Sequence, residues 1–491
     1  MAQRGDWGRA MKSGVLWSNA SFVATRAVST ISLLVLARLL TPAEFGLVAA
    51  ITVYLALMEL MSDLGMKATV VYEQEEGHTH RVQNAFTVNL LLSAAVTGLG
   101  VLLAPVVADF FRVGDDAWLF RLAALNPLLR GLGNIHDSLL LRSMRFRART
   151  LPELTLAAVR GVVSVTLAFA GLGAEALVIG LLAGTASWTV VHWIRTPFKP
   201  TFALDLDVVR SMASYGSGAT MLNVISAVAL RVDQAAIGRV LGERALGLYT
   251  IAFRIPELLI ESVSWNMSRV AFPGLSRQRM ADEEGVLAAT RRIVHFQSLY
   301  AVPVAAGLAV LGPPLIVTLF GAQWAAAGGV ASAVAVTSGL SAVGFPLGDT
   351  FKALGRQRVL VALNLLQLPI YVGVVVAVAS EGILAVAWAR TGAEFFHLIL
   401  VAFAASRVLK ASTAAFGRAA GPGLAAGAGM LLGAGAVRLA WPDLWLLPLL
   451  AGGAAGLLGA TASLRLLAPA AFREIADQLT WLRRRAVRGS V

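Results

Sequence analysis

A chain of 491 residues in which 57% are hydrophobic and only 14% are charged cannot bury its apolar surface inside a water-soluble globule. Its mean hydropathy of +0.73 indicates a protein whose solvent is the lipid bilayer. The absence of Cys excludes disulfides, thiolate metal sites and lipid attachment to Cys. The net charge of +13 reflects membrane topology, as shown below, and does not indicate nucleic-acid binding.

Apolar segments of the length needed to cross a hydrocarbon core of roughly 30 Å follow one another along the chain. They lack the period-two alternation of barrel strands, so helices must satisfy the backbone hydrogen bonds in lipid. We therefore predict an all-α polytopic membrane protein with about 14 transmembrane helices. The predicted helices begin near positions 15, 43, 83, 117, 151, 174, 213, 245, 294, 325, 359, 382, 421 and 444.

The basic residues predict how the chain is oriented. Of the 41 Lys and Arg residues, 29 fall at the termini and in alternate gaps between apolar segments, whereas five fall in the other gaps. Because cytoplasmic loops carry the excess of Lys and Arg, both termini are predicted to be cytoplasmic. The first segment follows a basic leader, but it has full span length and no convincing cleavage site, so we predict a retained helix.

An internal repeat divides the chain. Residues 37–47 read ARLLTPAEFGL and residues 238–248 read GRVLGERALGL, an offset of 201 at which Gly46 matches Gly247. Each copy lies between the first and second helix of a block of six, and the two blocks cross the membrane in the same direction. This pattern predicts two parallel six-helix lobes around a central cavity, which rock to give alternating access.

The predicted domains follow from this repeat: an N-terminal lobe at 1–205, a C-terminal lobe at 206–410, two additional helices at 411–469 and a cytoplasmic tail at 470–491. The tail places apolar residues along one helical stripe beside a run of Arg. It is therefore predicted to lie on the anionic cytoplasmic leaflet, with docking of a biosynthetic partner as the alternative.

The gaps between segments are too short for a catalytic or nucleotide-binding domain. The chain contains no GxxxxGK[ST] loop, no G-x-S-x-G elbow and no H-E-x-x-H motif, and its six His form no metal-ligand constellation. We therefore predict a protein that is not an enzyme, holds no metal and uses no cofactor, with transport driven by an ion gradient or by substrate flux.

Six arginines lie deep within the predicted helices, where each would cost roughly 2.5–3.5 kcal/mol if it faced lipid. They must therefore face protein or water. Glu257 follows Arg254 by three residues and Glu394 follows Arg390 by four, so pairing within a helix is an alternative to function for those two. For the other four, the alternatives are pairing across helices and an anionic ligand such as a diphosphate, which Arg binds as a fork. The six candidates are Arg26, Arg130, Arg160, Arg231, Arg254 and Arg390.

Acidic residues in or near the same segments are candidates either for pairing with these arginines or for coupling transport to Na⁺ or H⁺. Two pairs have a spacing of four residues, which places both carboxylates of a pair on one helix face. The candidates are Glu59, Asp63, Asp233, Glu257, Glu261 and Glu394.

Several stretches together resemble one known family. They are RVDQAAIGRVLGERALGLYTIAFRIPELLIESVSWNMSRVAFPGLSRQ at 231–278, LFGAQWAAA at 319–327, LLRSMRFRARTLPEL at 140–154 and the Asp63, Leu64 and Gly65 triplet. The chain resembles the Wzx-type flippases for lipid-linked oligosaccharides, in the multidrug/oligosaccharidyl-lipid/polysaccharide exporter superfamily. The resemblance covers most of residues 15–410 and is thin beyond them.

The resemblance implies a bacterial inner-membrane protein that turns a polyprenyl-diphosphate-linked sugar repeat unit from the cytoplasmic to the outer leaflet. The expected purpose is assembly of exopolysaccharide, capsule or O-antigen, with a polysaccharide polymerase as a candidate partner. It also implies a cationic cavity, which the six arginines fit. Two rivals remain: a multidrug or metabolite exporter of the same superfamily, expected to have an acid-rich cavity, and a membrane-embedded glycan polymerase or transferase, expected to have a substantial outer loop.

Overall fold

The computed structural model describes residues 23–62, 78–143, 145–205, 231–279, 283–442 and 446–488. Within these residues the chain forms helices joined by short turns, and no β-strand occurs. Ten of the described helices are long and apolar enough to cross a membrane. The predicted all-α polytopic membrane fold is therefore confirmed, whereas the number of 14 crossings remains a prediction. The segment predicted to start near 213, the start of the first segment and Asp63 lie outside the described residues.

The helices group into two compact units, residues 1–247 and 248–491. The predicted lobe boundary between residues 205 and 206 adjoins a stretch outside the described residues and remains a prediction. The described helices of the first unit are α1 (23–39), α2 (Pro42–Ser62), α3 (His78–Phe110), α4 (Ala117–Ala123), α5 (Asn126–Arg142), α6 (Phe146–Phe169), α7 (Ala174–Arg195), α8 (Val232–Leu241) and the first turn of α9 (Glu243–Pro256).

The second unit continues from α9 through a single π-helical turn, Glu257–Glu261, into α10. Its remaining helices are α10 (Ser262–Arg279), α11 (Glu283–Phe320), α12 (Ala327–Ala353), α13 (Gln357–Val378), α14 (Ile383–Val408), α15 (Thr413–Ala440), α16 (Leu446–Leu467) and α17 (Pro469–Arg488).

Two predicted segments are interrupted, and proline explains both interruptions. The segment predicted from 117 is broken between α4 and α5, where Pro127 stands in the first turn of α5 and needs no intrahelical partner for its missing N–H. The segment predicted from 245 contains Pro256 directly before the π turn, where the regular hydrogen-bond ladder is lost. The Glu257 carbonyl accepts the backbone N–H of Ser262, five residues on, and also accepts the Ser262 hydroxyl at 3.0 Å.

The two copies of the sequence repeat touch each other at their glycines. A Cβ added at Gly46 would lie 1.7 Å from the carbonyl oxygen of Glu243, and one added at Gly247 would lie 1.9 Å from that of Pro42. Pro42 and Glu243 are themselves separated by the repeat offset of 201. The contact is therefore reciprocal, as expected of two related elements packed about a local twofold axis, and only glycine fits at either position.

The tail forms the helix α17, as its sequence pattern indicates. Phe472 and Ile475 pack against a buried cluster that includes Met430 of α15 and Leu464 of α16. The apolar stripe of the tail is thus partly covered by the second unit itself.

Candidate functional site

Arg130 is the centre of a polar cluster in the first unit, on α5. Its Nε lies 3.6 Å from Oε1 of Glu59 on α2, and the two side chains are 36% and 47% exposed. The amide of Asn126 donates to the same Glu59 oxygen at 3.2 Å, and Thr185 on α7 donates to the Asn126 carbonyl oxygen at 2.8 Å. Residues from three helices thus hold the Glu59 carboxylate beside the Arg130 guanidinium. Arg130 therefore pairs with an acid on another helix, as one of the two predicted alternatives requires.

An indole ring completes this cluster. The Arg130 guanidinium lies over the ring of Trp188, 5.5 Å from its centroid, and the indole N–H donates to Glu153 at 3.3 Å. At 1.5 Å per residue, Trp188 lies about 21 Å along α7, within a candidate span, and Glu59 lies about 26 Å along α2, where the candidate span Pro42–Glu59 ends. The Nε atom of Arg130 is buried and has no hydrogen-bond partner among the described residues. Because 36% of the Arg130 side chain is exposed, an anion can reach it, and no short ion pair among the described residues competes for it.

A second polar cluster in the same unit was not singled out from the sequence. Arg149 on α6 donates to both carboxylate oxygens of Asp137 on α5, at 2.6 and 3.1 Å. His192 on α7 is fully buried and lies 3.3 Å from the same carboxylate. The only sequence signal was that Arg149 falls in the stretch 140–154, since an acid on another helix cannot be found from spacing along one helix.

In the second unit, Arg254 and Glu257 form the ion pair that their spacing indicates. Their side chains are 43% and 35% exposed, and the closest nitrogen and oxygen lie 3.4 Å apart. Glu257 opens the π turn, and Glu261, which ends it, accepts a hydrogen bond from Ser338 at 2.8 Å. Both acids of this pair are therefore held at the π turn, where the helical hydrogen-bond pattern changes.

Arg390 lies next to this region, because its guanidinium stacks 5.0 Å from the ring of Phe253, the neighbour of Arg254. It also donates to the Tyr371 hydroxyl at 3.2 Å, with the Tyr371 ring centroid at 5.9 Å. Glu394, the acid predicted as its partner, accepts a hydrogen bond from Ser341 at 2.7 Å. Two aromatic rings thus contact the Arg390 guanidinium through cation–π interactions. The sequence did not indicate these contacts.

The remaining candidates lie on or next to α1, α6 and α8. Arg26 is half-buried on α1, and Arg160 is exposed on α6. Arg231, before α8, donates to Gln234 at 2.9 Å, whereas Asp233 is buried and accepts from the Gln234 backbone N–H at 2.9 Å. The described part of the chain contains no group of three or more residues that could hold a metal ion.

A multi-pass, all-α protein with charged side chains on and beside its membrane-spanning helices has the architecture of a membrane transporter. The structure is similar to that of the lipid II flippase MurJ in an inward closed conformation, with a TM-score of 0.74 and 15% identity. That match covers 92% of this chain and 99% of the other, and it shows a shared fold.

Residues 35–328, more than half of the chain, match the family described as polysaccharide biosynthesis protein, and the chain belongs to this family. It is 22% identical over 418 residues to the teichuronic acid biosynthesis protein TuaB of Bacillus subtilis strain 168, covering 82% of this chain and 84% of that protein. It is 26% identical over 325 residues to the succinoglycan biosynthesis transport protein ExoT of Rhizobium meliloti strain 1021, covering 66% and 65%. These findings confirm the resemblance that the sequence motifs indicate.

Proposed function

We propose that the protein is a flippase that moves polyprenyl-diphosphate-linked oligosaccharide repeat units from the cytoplasmic to the outer leaflet of a bacterial inner membrane. The flipped units would serve the assembly of exopolysaccharide, capsule or O-antigen. Membership of a polysaccharide biosynthesis family, relatives named for polysaccharide biosynthesis and transport, and a fold shared with a lipid flippase support this proposal.

The observation that carries the proposal at residue level is the state of Arg130. Its one ion pair is long, its Nε lacks a hydrogen-bond partner in the described part of the chain, and about a third of its side chain is exposed. A diphosphate could replace the single long contact to Glu59 by shorter charge-assisted hydrogen bonds. Glu59 would remain satisfied by the amide of Asn126.

The physical task of the protein is to lower the cost of passing a charged, hydroxyl-rich headgroup through hydrocarbon. An unpaired ion or polar group in an apolar medium is strongly disfavoured, whereas the apolar polyprenyl tail is soluble in the hydrocarbon core of the bilayer. The headgroup would therefore enter between the helices while the tail stays in the bilayer, and alternating access would release it on the other side.

The six candidate arginines, Arg26, Arg130, Arg160, Arg231, Arg254 and Arg390, are proposed to bind the diphosphate. Glu257 and Glu261 at the π turn are proposed to couple transport to Na⁺ or H⁺. Glu257 and Glu261 suit this second role because each is already paired with a group that a cation would release: Arg254 and Ser338, respectively. Catalysis and a bound cofactor have no part in the proposal. We propose that both termini are cytoplasmic and that a polysaccharide polymerase, which would consume the flipped unit, is the partner.

Depletion of the protein in its native cell tests the proposal. Mass spectrometry of extracted lipids should show accumulation of a complete polyprenyl-diphosphate-linked repeat unit, together with loss of the surface polymer. Unchanged lipid pools with intact polymer would contradict the proposal and favour a small-molecule exporter.

Complementation with two charge-neutralising variants then separates a ligand-binding role of Arg130 from a structural one. Arg130→Gln should reduce polymer output by roughly tenfold or more, because it removes charge-assisted hydrogen bonds to the ligand. Glu59→Gln should be tolerated, because it removes a competitor for the guanidinium. Arg121→Gln, at an exposed position in the last turn of α4, is the matched control. Equal damage from Arg130→Gln and Glu59→Gln would mean that the pair only holds the helices together.

A further inference from the structure

A basic cleft lies at one end of the second unit, between α11 and α15. Its volume is about 440 Å³, and its charged lining consists of Arg291, Arg292, His295 and Arg418. The three arginine side chains belong to exposed residues. None of the three forms an ion pair with an acid among the described residues. The cleft therefore concentrates three positive charges that form no ion pair within the part of the chain that the structure describes.

The cleft is preformed by tight packing of its two helices. A Cβ added at Gly423 of α15 would lie 2.4 Å from the carbonyl carbon and oxygen of Ser298 on α11, so the backbones are in direct contact. His295 of α11 also contacts α15, because its Nδ1 lies 3.3 Å from the Ala419 carbonyl oxygen. Arg418 donates from its Nε to the Ala414 carbonyl at 3.4 Å, which orients its guanidinium. The packing of the two helices thus sets the spacing of the backbone positions that carry the basic side chains.

One acid approaches the cleft from α17. Oε2 of Glu474 lies 3.5 Å from Nε2 of His295, and the two side chains are 38% and 19% exposed. One ring nitrogen of His295 lies next to the Ala419 carbonyl oxygen and the other next to the Glu474 carboxylate. His295 and Glu474 thus form one side of the cleft. The guanidinium groups remain available for a ligand.

The depth of the cleft indicates where its ligand comes from. On α11 no Asp, Glu, Lys or Arg occurs from 293 to 320, a run of about 42 Å at 1.5 Å per residue, and on α15 none occurs from 419 to 437, a run of about 28 Å. The shorter run matches a hydrocarbon core of roughly 30 Å, and the longer run matches the roughly 40–45 Å of a bilayer with its headgroup regions. On both helices the arginines of the cleft directly precede the run. The cleft is therefore at the level of the lipid phosphates.

We propose that this cleft binds the phosphate headgroup of an anionic phospholipid in the adjacent leaflet. Arginine forks suit phosphate oxygens, and basic pockets between transmembrane helices at this level are typical of headgroup sites. The site is separate from the Arg130 cluster and does not depend on the proposed flippase activity. A lipid bound here would join α11 to α15 and stabilise the packing beneath α17.

The test is native mass spectrometry of the purified full-length protein titrated with dioleoylphosphatidylglycerol or dioleoylphosphatidylcholine. We expect at least a tenfold preference for the anionic lipid. The triple variant Arg291→Gln, Arg292→Gln, Arg418→Gln should bind phosphatidylglycerol about a hundredfold more weakly, at roughly fivefold per arginine. The matched control neutralises exposed arginines elsewhere in the same unit and should change the affinity less than threefold: Arg277→Gln, Arg358→Gln, Arg407→Gln.

Two further variants keep the result interpretable. Arg418→Gln alone, expected to lose about fivefold, serves if the triple variant fails to fold. Glu474→Gln removes the acid at the wall and should leave the affinity unchanged or raise it, with α17 still held by Phe472 and Ile475.

Equal losses in the triple variant and its control, or equal binding of the two lipids, would overturn the proposal. Millimolar inorganic phosphate that displaces phosphatidylglycerol from the wild type but has no effect on the triple variant would assign the cleft to a soluble anion and overturn the lipid assignment. Insensitivity to inorganic phosphate supports the lipid.

Discussion

The reciprocal glycine contact between the two repeat copies predicts a measurable loss of stability from a single methyl group. In Gly46→Ala the new Cβ would start 1.7 Å from the Glu243 carbonyl oxygen, whereas carbon and oxygen atoms in close contact are about 3.3 Å apart. The helices would have to separate by about 1.6 Å, and overpacking of this kind costs about 1–3 kcal/mol. We expect Gly46→Ala to lower the melting temperature of the purified protein. Thermal unfolding in detergent would be measured by tryptophan fluorescence.

Gly98→Ala is the matched control, because a Cβ at that position of α3 meets nothing within 4 Å. It should melt at or slightly above the wild-type temperature, since Ala favours a helix over Gly by up to about 1 kcal/mol. The double variant Gly46→Ala, Gly247→Ala should lose less than the sum of the two single losses, because one separation relieves both clashes. Equal melting of Gly46→Ala and Gly98→Ala would refute the reciprocal contact.

Three further changes test the charged groups. Burial, with Glu175 nearby, raises the pKa of the Asp116 carboxyl, so its ionisation destabilises the fold as pH rises. Asp116→Asn should therefore melt at a higher temperature than the wild type at pH 7.5, and this difference in melting temperature should disappear at about pH 4. A difference that persists in acid would contradict this. Asp137→Asn removes the acid that Arg149 holds with two hydrogen bonds and should cost about 2–3 kcal/mol in thermal melting, so an unchanged melting temperature would exclude a stabilising role. Arg390→Lys keeps the charge but loses the planar stacking on aromatic rings, and we expect lower surface-polymer output in complementation; wild-type output would show that charge alone suffices.

The helical fold could be predicted from the sequence because the bilayer sets one length for every crossing. Departures from that pattern arise where a local residue overrides the length rule. Pro127 starts a new helix inside one predicted segment, and Pro256 precedes a π turn inside another. Hydropathy averages over such positions and cannot locate them.

The candidate site was only partly accessible to sequence reasoning. Arg130 and Arg390 could be predicted as functional candidates because an arginine that faced lipid would be costly, and their roles in binding remain predictions. Their neighbours could not be found, because Glu59 and Trp188 reach Arg130 from other helices, and Tyr371 reaches Arg390 in the same way. Such partners are set by how helices pack, whereas spacing along one helix reveals only pairs such as Arg254 and Glu257.

Flipping by the purified protein tests the central claim most directly. The protein would be reconstituted into liposomes containing a polyprenyl-diphosphate-linked oligosaccharide with a labelled headgroup, with and without a sodium or proton gradient. Exposure of the headgroup would be followed by its access to a membrane-impermeant quencher. The account predicts that the protected half of the label becomes accessible in wild-type liposomes and much more slowly with Arg130→Gln. Exposure no faster than in protein-free liposomes under every gradient would contradict it.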